Sequence, residues 1–417
     1  MIYTLIYQIS TFLATALLIP VTFRTFNAED YNVISFANSL IALGSAFIVG
    51  PTLHAVSRFY NRDIHDTKAF YRSITIFAMP SAVFVAMASQ VAFYEVDDIE
   101  TMLSLVLSIY IVLEGIREAI LSYLNANEKK HAYGIFQTLS AALKLGFVFL
   151  IAITNYDENR RLYILYFGLM ITASVFTTIV STKLASPDFF KNKPISLGFS
   201  AKRFSASEWH FFKGFAIVSV LGWSLNWTDK WFLSNASSES NPELLASYLS
   251  GTQLINAPYQ LLLSAVLIHF GPKLYYSLNT KSEDISDQHI VQQTLSKIGR
   301  NFVLLLLVAF LCSIPVLRPV CSLILGSDFK LDNLTIIAIS AYASINAFNG
   351  FLAYIFQTLK LFKKYIAIQV LSSLTLFIAL IPLIKAYEIL GAALALFLVA
   401  AQRAILLSLV LYKNGTK

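Results

Sequence analysis

The chain has 417 residues, 57% of them hydrophobic and only 13% charged, with a formal net charge of +7 and a mean hydropathy of +0.65. Soluble domains carry roughly 25% charged residues, so a soluble globular protein is excluded and an all-α integral membrane protein is predicted. Two cysteines, Cys312 and Cys321, suit neither a disulfide scaffold nor a thiolate metal site.

About twelve apolar stretches reach the length a helix needs to cross about 30 Å of hydrocarbon. In chain order they are 2–23, 33–53, 73–94, 101–124, 133–154, 162–181, 211–233, 244–271, 301–320, 333–358, 365–384 and 389–412. The first, uncharged from Met1 to Phe23, lacks the basic start of a cleavable signal and reads as an uncleaved helix. Pro80, Pro258, Pro315 and Pro382 fall inside spans, where each removes a backbone bond and permits a kink.

Alternate connections differ in charge. The set 54–72, 125–132, 182–213, 272–300, 359–364 and the C-terminal tail holds 21 Lys and Arg against 8 Asp and Glu; the opposite set holds 6 against 13. The positive-inside rule makes the basic set cytoplasmic, with both termini inside. The positive net charge is thus an orientation signal, accompanied by contact with anionic membrane lipids, and no soluble basic domain exists to carry nucleic acid. The longest polar break divides the chain into an N-terminal six-helix lobe (1–181), a cytoplasmic linker (182–210) and a C-terminal six-helix lobe (211–417). The lobes carry faint echoes of each other: Gly50-Pro51 and Gly271-Pro272 near the ends of spans two and eight, Lys129-Lys130 and Lys363-Lys364 before spans five and eleven. With an even number of spans in each, such repeats are parallel and enclose a central cavity.

Seven charges lie inside the spans: Glu114, Arg117, Glu118, Lys144, Asp229, Lys230 and Arg403. Ionisable groups at that depth are costly and by default mark functional sites. Glu114, Arg117 and Glu118 share one helix face, either as a self-neutralised cluster joining two helices or as a gate or proton-coupled carboxylate. Lys144, near mid-span with no acidic neighbour on its own helix, either binds an anion or bridges to Glu118 or Glu114. Arg403 either snorkels to cytoplasmic headgroups or lines a cavity. Asp229-Lys230 lies among Trp223, Trp227 and Trp231, which form either an outer aromatic belt or a stacking surface for sugars with the carboxylate beside it. Arg24 and Arg58 bracket the first hairpin. No Walker glycine loop, metal-ligand spacing or Ser/His/Asp set is present, so the sequence predicts a transporter rather than an enzyme and implies no cofactor.

Pro20, Arg24-Thr25-Phe26 and Glu29-Asp30-Tyr31 after span one, the Gly50-Pro51 to Arg58 end of span two and Asp229-Lys230 in span seven resemble the O-antigen type of polysaccharide flippase in the multidrug/oligosaccharidyl-lipid/polysaccharide exporter superfamily. Asn32 stands where these sequences typically carry Gly. The resemblance covers the whole chain in layout and implies a MATE-like fold in a bacterial plasma membrane. It implies translocation of an undecaprenyl-pyrophosphate-linked oligosaccharide for surface polysaccharide synthesis, driven by H+ or Na+ and working beside the polysaccharide polymerase machinery. On that reading Arg24, Arg58, Arg117, Lys144, Lys230 and Arg403 bind the anionic head group, and Glu114, Glu118, Asp229, Trp223 and Trp227 contact sugar or couple the ion. A cation-coupled drug exporter of the same superfamily is the alternative. A polymerase or ligase is disfavoured because no external connection exceeds about fifteen residues.

Overall fold

In a computed structural model, the residues described are 13, 17–59, 83, 87, 105–115, 117, 121, 130–154, 158–183, 206–237, 242–280, 285–326, 329–359 and 361–415. Among them the regular structure is entirely helical: α1 (17–25), α2 (Ala28–Phe59), α3 (Leu105–Gly115), α4 (Lys130–Ile153), α5 (Glu158–Lys183), α6 (Ala206–Ser237), α7 (Pro242–Thr280), α8 (Ile285–Leu325), α9 (Asn333–Thr358) and α10 (Phe362–Gly415). Span three (73–94) lies almost wholly outside these residues, as do Pro80, the Glu118 side chain and the Arg58 side chain.

Four described segments are long and apolar enough to cross a membrane: Gly134–Ile153, Lys297–Leu325, Asn333–Phe356 and Phe362–Tyr412. The last is too long for one crossing. It breaks at Glu388, whose φ of 50° lies in the left-handed region, so α10 is two helices folded against each other. The turn falls within the predicted connection 385–388. Gly391 permits it, because a Cβ there would sit 1.9 Å from the Leu383 carbonyl oxygen. The protein is a multi-pass membrane protein.

Helix ends follow local chemistry. Asn27 caps α2 by accepting the Asp30 amide at 2.7 Å, with Glu29 and Asp30 at the positive end of the dipole. Asp332 likewise accepts the Leu334 and Thr335 amides at the start of α9. Several helices run past the hydrophobic window: Gly50-Pro51 in α2 and Gly271-Pro272 in α7 each lie nine residues before the last helical residue. Helices also continue through Pro258, Pro315, Pro319 and Pro382.

The chain clusters into two compact units, residues 1–21 with 33–223 and residues 22–32 with 224–417. In the first, α4 packs on α5, with the Phe147 ring over Gly168. The buried Tyr166 of α5 donates its hydroxyl to the Ile34 carbonyl of α2 at 3.1 Å, and Trp223 of α6 donates its indole N–H to the Ser39 carbonyl at 2.8 Å.

In the second unit α9 is the hub, packed on α7, α8 and α10. Of its spanning window 56% is buried, against 6% for α8. Leu304, Leu307, Val308 and Leu311 of α8 are each more than half exposed or close to it, which suits hydrocarbon and not water.

Candidate functional site

Apolar spans bury their few polar side chains against one another, since each group left alone in hydrocarbon costs several kcal/mol. Two such clusters form, one in each unit.

In the first unit Glu114 of α3 is the centre. Arg117, one turn further on, donates Nε and Nη2 to the two carboxylate oxygens at 2.8 and 2.7 Å, a bidentate pair. Lys144 of α4 donates Nζ to the same Oε1 at 2.7 Å, and its ammonium stands 5.9 Å from the Tyr110 ring centre. One carboxylate is therefore shared by two cations. Side-chain exposure is 6% for Arg117, 10% for Glu114 and 19% for Lys144, so the lysine is the most accessible member. Of the alternatives left open by the sequence, Lys144 does bridge to Glu114, and the bridge leaves the trio with a positive surplus.

In the second unit Asp229 of α6 is fully buried. Its Oδ2 accepts the Tyr248 hydroxyl of α7 at 2.6 Å, and its Oδ1 lies 3.6 Å from the Lys230 ammonium without a hydrogen bond. Lys230 turns back along its helix to donate to the Asn226 carbonyl at 2.6 Å, and stands 4.7 Å over the Trp227 ring. The Asn226 side-chain oxygen accepts from the Tyr342 hydroxyl at 3.1 Å and the Asn346 amide at 3.4 Å, both on α9. Asn346 accepts Nη2 of Arg403 at 2.7 Å, and Gln369 accepts Nη1 at 3.4 Å. Gln369 in turn donates to the Tyr365 hydroxyl. A polar string thus runs through the apolar body of this unit from Asp229 to Tyr365, across α6, α9 and both halves of α10.

Arg403 is 8% exposed and is held by neutral amides; among the described residues it has no carboxylate partner. It is buried in protein rather than snorkelling to a headgroup.

Of the remaining predicted residues, Glu118 and the Arg58 side chain lie outside the described residues. Arg24 donates Nη2 to the Leu323 carbonyl at 2.9 Å, a cation at the negative end of α8. Gly326 ends that helix with a φ of 97° and its amide on the Ser322 carbonyl. Trp223 is occupied by Ser39 of α2, whereas Trp227 supports Lys230.

Sequence reasoning passed over Tyr110, Asn226, Tyr248, Tyr342, Asn346 and Gln369. The available signal was uncharged amides and phenols inside spans, which sorting by charge alone does not reveal.

No protein-family model matches the chain, and no curated protein does. Solved structures do. A MATE transporter in complex with MaD3S aligns with TM-score 0.66 at 12% identity, covering 99% of this chain and 96% of its own. A MOP-superfamily transporter from Pyrococcus furiosus, described as having a binding pocket of reversed polarity, aligns at 0.65 and 11%, covering 99% and 95%. The lipid II flippase MurJ, in an inward closed conformation, aligns at 0.64 and 15%, covering 99% and 87%. The chain therefore has the fold of a MOP-superfamily membrane transporter. That fold serves both multidrug exporters and a flippase, so the cargo has to be read from side chains.

Proposed function

We propose that the protein translocates a lipid-linked, pyrophosphate-bearing oligosaccharide across a bacterial plasma membrane, for surface polysaccharide of the O-antigen or capsule kind. The observation that carries this is the sign of the buried charge. Among the described residues four intramembrane cations, Arg117, Lys144, Lys230 and Arg403, face two carboxylates, Glu114 and Asp229. Both carboxylates are already engaged, one by two cations and the other by Tyr248 and Lys230.

A cationic drug needs a carboxylate not already beside a cation, and both of these carboxylates have one, Glu114 with Arg117 and Lys144 and Asp229 with Lys230. A pyrophosphate needs the reverse. Its charge is costly to bring into a low-dielectric site unless cations and N–H donors replace its water. Lys144 suits that exchange: it is the most exposed of its trio, and Glu114 keeps the bidentate Arg117 when the lysine leaves. The prenyl chain stays in lipid while the head group crosses.

Alternating access between six-helix lobes, 1–181 and 211–417 with the linker 182–210, supplies the path. A proton or sodium gradient supplies the drive, with Asp229, whose Oδ1 accepts no hydrogen bond, or Glu118 as the coupling group. Arg58 contributes at the cytoplasmic entrance, and the polymerase machinery takes the product outside.

Disruption of the gene tests the reading. Lipid-linked repeat units are expected to accumulate on the inner leaflet while surface polysaccharide is lost. Unpolymerised units exposed on the outer leaflet would point to a polymerase instead, and intact polysaccharide with lost drug resistance would point to the exporter.

A further inference from the structure

We infer that Arg403 holds a small monovalent anion, chloride in the cell, on the Nε edge of its guanidinium within the second unit. This goes beyond the cargo reading and does not depend on it. It leaves Lys144 as the cation open to the head group.

The first observation is charge. Inside the spans each unit has, among the described residues, two cations and one carboxylate. In the first unit the surplus rests with Lys144, the most accessible of its trio. In the second, Asp229 and Lys230 lie 3.6 Å apart and cancel, so the surplus is Arg403. Arg403 is 8% exposed and held by neutral amides, which satisfy hydrogen bonds but cancel no charge. A buried charge without a counter-ion keeps its full desolvation cost.

The second observation is an unmet donor. Nη2 of Arg403 donates to the Asn346 oxygen and Nη1 to the Gln369 oxygen, whereas the buried Nε has no acceptor. Arg117 shows what a buried guanidinium of this protein takes on that edge, where its Nε and Nη2 meet both oxygens of Glu114. The same edge of Arg403 meets one neutral oxygen and, among the described residues, no anion. A halide on Nε and the second N–H of Nη2 completes it.

The third observation is that the neighbours have no charge to give. Arginine only donates, so Asn346 and Gln369 already turn their oxygens to it, and Gln369 gives its –NH2 to the Tyr365 hydroxyl. The buried side-chain oxygens of Asn349 on α9 and Gln402 on α10 lack donors, and they are neutral as well. A water molecule would satisfy Nε but leave the charge in place.

Burial sets the size. A guanidinium this enclosed admits a single-atom ion and not a pyrophosphate carried on a lipid, and one surplus charge matches one halide.

The test unfolds the purified full-length protein thermally in chloride and in gluconate, at equal ionic strength and pH. Chloride is expected to raise the wild-type midpoint saturably, by roughly 2–4 °C at about tenfold excess over its Kd. Bromide should do the same. Arg403→Met should unfold at one temperature in all three salts, and Lys144→Met should respond as wild type does.

Equal wild-type midpoints in chloride and gluconate would overturn the inference and leave water at Nε. A chloride response that survives Arg403→Met, or is lost in Lys144→Met, places the ion elsewhere and overturns it too. If Arg403→Met does not fold, wild-type crystals grown in bromide decide: anomalous scattering at Nε supports the site, and its absence there overturns it. Inorganic pyrophosphate should give no Arg403-dependent shift. A shift that Arg403→Met abolishes would assign the guanidinium to the cargo and overturn the halide site, whereas a missing chloride response leaves the cargo reading untouched.

Discussion

Glu114→Leu is expected to lower the stability of the purified protein by about 3–5 kcal/mol, the largest effect of any single substitution in the first unit. The carboxylate is the common acceptor of Arg117 and Lys144, through bonds of 2.7 to 2.8 Å. Its removal leaves two cations a few ångström apart in a largely dry setting, each with its desolvation cost intact and now repelling the other. Thermal unfolding in detergent measures the loss.

The stronger check is the pattern across combined variants. Glu114→Leu with Lys144→Met removes one stranded charge and should recover part of the stability. Adding Arg117→Met removes the second and should recover most of it, because replacing a whole buried ion cluster by apolar side chains is far less costly than breaking it. Strict additivity of the three losses would show that the charges do not act as one group.

Lys144→Met alone is expected to do the opposite: little change in unfolding temperature, with transport reduced at least tenfold. Stability survives because Arg117 still holds Glu114 through two hydrogen bonds, which leaves a neutral bidentate pair. Transport falls because the lysine is the cation that can exchange a carboxylate for a phosphate without stranding anything. Lys144→Arg should retain part of the activity. Full transport by Lys144→Met would remove this residue from the path of the cargo.

The membrane class and the helical runs among the described residues were legible in the sequence because hydrocarbon permits few alternatives: a long apolar run must be a helix, and a charge within it must find a partner. The connection at 385–388 was legible for the same reason, and Glu388 turns the chain there with a φ of 50°. What escaped was decided by contacts between distant segments. Lys144 has no acid on its own helix, so its pairing with Glu114 depends on how α3 meets α4. Arg24 looks like a headgroup or cargo contact until the end of α8 is placed beside it at Leu323. The amides of Asn226, Asn346 and Gln369 carry no charge and so left no mark in an argument built on charge, yet they connect Asp229-Lys230 to Arg403. Helix ends were underestimated too, since α2 and α7 run beyond the apolar windows into polar sequence.

The central claim is that a surplus of buried positive charge selects a pyrophosphate-linked glycan over a cationic drug. Purified protein reconstituted into vesicles, with an ion gradient imposed, allows both cargoes to be followed in one preparation. The account predicts that a polyprenyl-pyrophosphate oligosaccharide crosses from one leaflet to the other at a rate that a cationic dye neither matches nor inhibits. Gradient-driven export of the dye, with the lipid left in its original leaflet, would contradict it.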